Sequence, residues 1–131
     1  MLLPPGHEKA ELIEVVRITD PTRHLGSHDL TGEEVALWAA PQVERIVGLI
    51  RSLPGSELHR CFVPGWGIRM HSGSDHLLQI AFCFRCHGAR VWGPIVPAGR
   101  KAISGFDPDS PPGRELLEAF RDAGRGKRTG A

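Results

Sequence analysis

The sequence has no tyrosine, only three cysteines and three lysines, and no excess of either charge: 16 Lys and Arg stand against 15 Asp and Glu in 131 residues. Each scarcity excludes something. A net charge near +1 argues against a dedicated nucleic-acid binder, which carries a basic excess to neutralise phosphates. No apolar run approaches the roughly 18 residues of a membrane-spanning helix. Residues 1–9, Met1-Leu2-Leu3-Pro4-Pro5-Gly6-His7-Glu8-Lys9, lack a charged stretch followed by an apolar one, so no secretory signal is expected and the expected compartment is cytoplasmic. An odd number of cysteines without an export signal makes a disulfide framework improbable.

What is present is ordinary globular material, 40% apolar and 24% charged, at a length that suits one domain. The preference for Arg over Lys, with 16 Gly and 11 Pro, fits GC-rich bacterial coding. Two prolines and no periodicity mark residues 1–10 as a flexible N-terminal arm. The domain proper is expected over 11–123, and the Gly- and Arg-rich tail 124–131 is expected to be disordered.

Glu11–Ile18 is β-branched and stops at the turn signal Thr19-Asp20-Pro21, which predicts a strand. Residues 20–32 read as a loop. Glu33–Trp38 fits a helix by the capping-box pattern of Thr31 and Glu34, or a short strand by the alternation around Val35 and Leu37. Pro41 suits a first helical turn but not a helix interior. Val43, Ile46, Val47 and Ile50 then form an apolar stripe that ends at Leu53-Pro54-Gly55, predicting a helix over 41–53. Extended runs at 58–63, 68–71, 76–84 and 89–92, broken by turns, read as an antiparallel meander. Residues 93–113 read as a long loop, and Pro112, Leu116, Leu117 and Phe120 predict a final helix over about 111–123. The expected fold is α+β: an antiparallel sheet of four to six strands, with a central and a C-terminal helix on one face.

Cys83-Phe84-Arg85-Cys86-His87-Gly88 is the most informative stretch. Two cysteines at C-x-x-C spacing on a tight turn can present both thiolates to one metal ion, but zinc takes four ligands. A hairpin turning at Ser72–Asp75 pairs positions whose numbers add to 146 or 147. That brings Cys61 against Arg85 or Cys86, and His59 against His87 or Gly88, at neighbouring cross-strand positions. The expected metal ligands are therefore Cys61, Cys83, Cys86 and His87, with His59 as the alternative fourth. A bulge at Pro64-Gly65-Trp66-Gly67 would shift this register.

Three other readings compete. Cys83–His87 matches the C-x-x-C-H pattern of covalent haem attachment. The preceding Leu77–Phe82 reads as a strand, however, whereas that motif opens a helix, and haem is disfavoured. Dithiol redox chemistry favours a first cysteine at a helix N-terminus, which this stretch does not offer. Cysteine also packs as a small buried hydrophobe, and three core cysteines need no ligand at all.

Elsewhere, His71-Ser72-Gly73-Ser74-Asp75-His76 gathers acid, base and hydroxyl groups but reads as a solvated turn, without the strand–elbow–helix setting of a nucleophilic serine. His24 and His28 fall in loop sequence. Arg60, Arg69, Arg85 and Arg90 lie on successive extended runs and would share a sheet face with Trp66 or Trp92 in some registers. Arg69, His71, His76 and Trp66 are thus weaker candidates for a ligand pocket.

Cys61-Phe62-Val63-Pro64-Gly65-Trp66-Gly67-Ile68-Arg69, followed by Cys83-Phe84-Arg85-Cys86, resembles small uncharacterised bacterial single-domain proteins in which a Cys-Phe-x-Pro stretch and a Gly-Ile-Arg step precede a strand ending in Cys-Phe-x-Cys. The resemblance covers residues 58–92. It implies that Cys61, Cys83 and Cys86 form one set, does not extend to His87, and brings no function.

The leading expectation is a small cytosolic zinc-binding protein with a binding or regulatory role toward an unspecified protein or small-molecule partner. The alternatives are a redox protein or small enzyme using Cys83 and Cys86 or the His/Arg pocket, and an interaction module with inert buried cysteines.

Overall fold

The computed structural model describes residues 1–19, 30–57, 62–97 and 103–129, the last four as backbone. The fold is α+β. Among the described residues, six strands form one antiparallel sheet: β1 (Leu12–Ile18), β2 (Gly32–Trp38), β3 (Trp66–Ser72), β4 (Asp75–Cys83), β5 (Gly88–Trp92) and β6 (Ile103–Gly105), in the order β2-β1-β3-β4-β5-β6. Helix α1 (Gln42–Ser52) carries the chain from β2 across β1 to β3, and α2 (Pro111–Thr129) follows the last strand.

Period-two alternation divides the sheet into two faces. Ile13 and Val15 of β1, Ile68 and Met70 of β3, and Leu78, Ile80 and Phe82 of β4 point to one face, where all are buried. Both helices cover that face. The predicted α1 stripe delivers Val43, Ile46 and Ile50 to this core, and α2 delivers Leu116, Ala119 and Phe120. Each of the larger of these side chains, fully buried, contributes about 1.5–3 kcal/mol. Ser110 caps α2, its Oγ accepting the Gly113 N–H at 3.2 Å, and Pro111 takes the first helical position.

The ambiguous segment before α1 is the strand β2. A residue in excess at Val35 puts Ala36 opposite Val15 and Glu34 opposite Val16. Pairing along β1 and burial of Val35 override the local capping pattern. The β3–β4 hairpin also differs from expectation. Trp66 faces Phe82, Ile68 faces Ile80 and Met70 faces Leu78, numbers adding to 148, and only His71–His76 and Ser72–Asp75 add to 147. The irregularity lies between Met70 and His71, at the turn end, and not at Pro64–Gly67.

The first residues of the chain pack against the core. Leu3 joins the main core at 5% exposure, and His7–Lys9 form a single 3-10 turn in which His7 Nδ1 lies 2.8 Å from the Pro4 carbonyl. Leu3, the partly buried Met1 side chain and the Met1 ammonium, which donates to the Leu53 carbonyl, dock the arm. Within the 93–113 stretch, β6 pairs with β5, placing Ala89 opposite Ser104. Helix α2 continues through Gly124, where a Cβ would stand 2.2 Å from Arg17 Nη2 and 3.0 Å from the Trp66 ring. The missing side chain there lets the helix lie directly on β1 and β3.

Candidate functional site

The predicted site residues fall in three places. The first is the β4–β5 corner. Cys83 ends β4 opposite Gly88, the start of β5, and residues 84–87 make the turn. Cys86 donates its backbone N–H to Cys83 Sγ at 3.2 Å. His87 sits at φ 55°, the only non-glycine with positive φ among the described residues. This left-handed step turns the chain directly into β5. The His87 carbonyl accepts the Phe106 N–H at 2.9 Å, and its Nδ1 lies 3.5 Å from Ser56 Oγ.

Cys83 and Cys86 are each 1% exposed and pack with Val16, Ile18, Leu30, Phe62 and Ala81 in a second apolar cluster, on the face opposite the helices. They form no disulfide. The turn therefore brings Cys83, Cys86 and His87 to one corner. Cys61 and the alternative ligand His59 lie outside the described residues, as do Arg60, His24 and His28. Among the described residues no group of three or more His, Cys, Asp or Glu is arranged to hold a metal ion. Cys83–His87 is strand and turn; the setting of a haem-attachment or dithiol-redox motif, a cysteine opening a helix, is not the one found here.

The second place is a polar row on the same face. Glu14 of β1 stands between Leu37 and Arg69, and Gln79 between Arg69 and Trp92. Arg69 Nη1 lies 3.4 Å from Glu14 Oε2, and its Nη2 donates to the Leu30 carbonyl at 2.6 Å. His71 Nε2 pairs with the other oxygen of Glu14, and the rings of His71 and His76 are 5.3 Å apart. The Leu30 N–H donates to Oε1 of the buried Gln79 at 2.8 Å. Arg69 and Gln79 thus grip both backbone polar groups of one residue, Leu30, and Glu14 pairs with the Arg69 charge that does so. Further along the sheet, Arg90 lies over the Trp92 ring at 4.6 Å, and burial pulls its pKa below the ordinary arginine value.

Glu14 and Gln79 carry this arrangement and were not singled out from sequence. Their signal is a single polar residue inside an otherwise apolar run, Glu14 within Leu12–Val16 and Gln79 within Leu77–Cys83. Replacing Gln79 with methionine keeps the volume but strands the Leu30 N–H. The expected cost is about 1–3 kcal/mol, measured by urea denaturation, with faster amide exchange at Leu30 identifying the cause.

Trp66 occupies the third place, apart from the arginine row. It is on the helix face, stacked on Phe120 with ring centroids 5.5 Å apart and planes 6° from parallel, while Arg17 lies 5.2 Å from the Trp66 ring centre. Arg69 and Arg90 share a face with Trp92 instead, because Arg17 and Trp66 pair one step out of phase with Glu14 and Arg69. Beside Trp66 a cleft of about 390 Å³ opens between the Cys83–Cys86 corner and α2.

No helix among the described residues is long and apolar enough to cross a membrane. No family model, curated protein or solved structure matches this chain.

Proposed function

We propose that this chain is a small zinc-binding protein with a binding or regulatory role, holding one structural ion at the β4–β5 corner. Cys83 and Cys86 supply two thiolates. Cys61 supplies the third, and His87 or His59 completes the tetrahedral set. The observation that carries the reading is the Cys86 N–H aimed at Cys83 Sγ at 3.2 Å. That contact closes the C-x-x-C turn so that both cysteines sit at one corner, the arrangement a shared ion requires. The left-handed His87 lets the chain leave the ion at once. A closed four-ligand site has no open position for catalysis, so the ion would tie the sheet corner together and present the surface around it. The reduced cytoplasm is the compartment proposed for such thiols.

Elemental analysis tests this on protein purified without chelators. About one zinc per chain is expected, falling in a Cys83→Ser, Cys86→Ser double variant. Less than about a tenth of an ion per chain overturns it. The burial of both cysteines among Val16, Leu30, Phe62 and Ala81 favours a second reading, inert core thiols. That reading gives slow alkylation with and without chelator, whereas zinc thiolates become reactive only when the metal is withdrawn. A redox pair would instead show one acidic thiol that alkylates at once.

A further inference from the structure

The cleft beside Trp66 uses none of the thiols. Its walls are flat and apolar: the Trp66 indole, the half-buried Phe84 ring, and Leu117 of α2, with Val63 at the rim, more than half exposed. A volume of about 390 Å³ lies in the range of small-ligand sites, roughly 300–1,000 Å³. Two side chains of the lining are charged, Arg85 and Arg121, and both are exposed. Among the described residues no carboxylate lines the cleft.

The two arginines come from distant parts of the chain. Arg85 is in the turn between Cys83 and Cys86, and Arg121 is one turn after Leu117 on α2. Neither makes an ion pair or a side-chain hydrogen bond among the described residues. The acids nearest Arg121 in sequence are already engaged: Arg125 Nη2 lies 3.0 Å from Glu118 Oε1 and also pairs with Asp122. Two guanidiniums over an aromatic hollow, with no carboxylate among the described residues of its lining, make a local positive field. Guanidinium forks match oxyanions, and ring faces match planar apolar bodies.

We infer that this cleft is a binding site for a small aromatic anion, whose ring system sits in the apolar hollow lined by Trp66, Phe84 and Leu117 while its carboxylate-like group meets Arg85 and Arg121.

The test is a fluorescence titration of the full chain with two probes of similar shape: the anion 1-anilinonaphthalene-8-sulfonate and the neutral N-phenyl-1-naphthylamine. The anion is expected to bind saturably at one site and more tightly than the neutral probe. The double variant Arg85→Gln, Arg121→Gln should weaken the anion about tenfold or more, the loss of one to two charge-assisted hydrogen bonds, and leave the neutral probe within about twofold. Both positions are exposed, so the variant should keep the native circular-dichroism melt. Arg114→Gln, an exposed arginine on α2 outside the lining, should change neither affinity. The inference is overturned if the anion shows no saturable site, if the double variant binds it as the parent does, or if Arg114→Gln weakens it equally.

Discussion

Replacing Phe120 with alanine should remove about 3–5 kcal/mol of stability, the range for truncating a fully buried phenylalanine. Phe120 has no exposed surface, and its ring lies within reach of four others: Trp38 at 6.0 Å, Trp66 at 5.5 Å, Phe82 at 5.5 Å and Phe84 at 6.1 Å. Those partners come from β2, β3, β4 and the Cys83–Cys86 turn. The side chain is thus where α2 joins the sheet. Each aromatic pair adds about 0.5–1.5 kcal/mol beyond burial, and a 131-residue domain has only about 5–15 kcal/mol in total. Urea denaturation followed by far-ultraviolet circular dichroism reads the midpoint. A loss below about 1 kcal/mol would show that α2 docks without its anchor.

The second large effect is expected at Gly93. It follows β5 at φ 135°, a backbone region L side chains rarely enter, and a Cβ built there stands 2.7 Å from the Leu78 Cα and 3.0 Å from the Leu77 carbonyl oxygen. Both obstacles are backbone of the central strand β4 and cannot swing aside. Gly93→Ala should therefore cost about 2–4 kcal/mol, combining backbone strain with overpacking. Thermal melting checks it. Gly48→Ala serves as a control, since a Cβ there meets nothing within 4 Å and the change suits a helix interior.

Much of the fold is legible along the chain because it follows short-range rules. Helix α1 shows in the spacing of Val43, Ile46 and Ile50 between Pro41 and Pro54. The β3–β4 turn shows in Ser72–Asp75, and the corner turn in Cys86-His87-Gly88. What escapes is set by contacts the sequence does not display. The Thr31–Glu34 pattern speaks for a helix, yet β1 offers a paired edge and a buried seat for Val35. The residue in excess near His71 is invisible as text, though it decides which residues face each other along the hairpin. Ile103–Gly105 is too short to announce a strand. Gly124 looks like a helix end and is instead a point of contact.

The candidate sites divide in the same way. Cys83, Cys86 and His87 are adjacent in sequence, so their shared corner could be anticipated, whereas Glu14, Arg69 and His71 meet only because β1 and β3 are neighbours. Arg85 and Arg121 share a cleft because Phe120 fixes how α2 lies on the sheet. Trp66 and Arg69 fall on opposite faces by one step of register, which the sequence does not display.

The placement of β1 between β2 and β3 has a consequence for the order in which the sheet can assemble. Strands β3, β4 and β5 are joined by short turns, and β1 and β2 are consecutive in the chain. Leu12, however, pairs with His71 and Arg17 with Trp66, partners roughly 50–60 residues apart. Closing that span costs more chain entropy than closing a hairpin, and the cost is repaid only when both halves present formed edges. Among the strand pairings, the β1–β3 boundary is therefore the most non-local joint. The polar grip of Glu14, Arg69 and Gln79 on Leu30 lies across or beside that joint, which makes it a clasp between the β3–β5 meander and the β1–β2 hairpin.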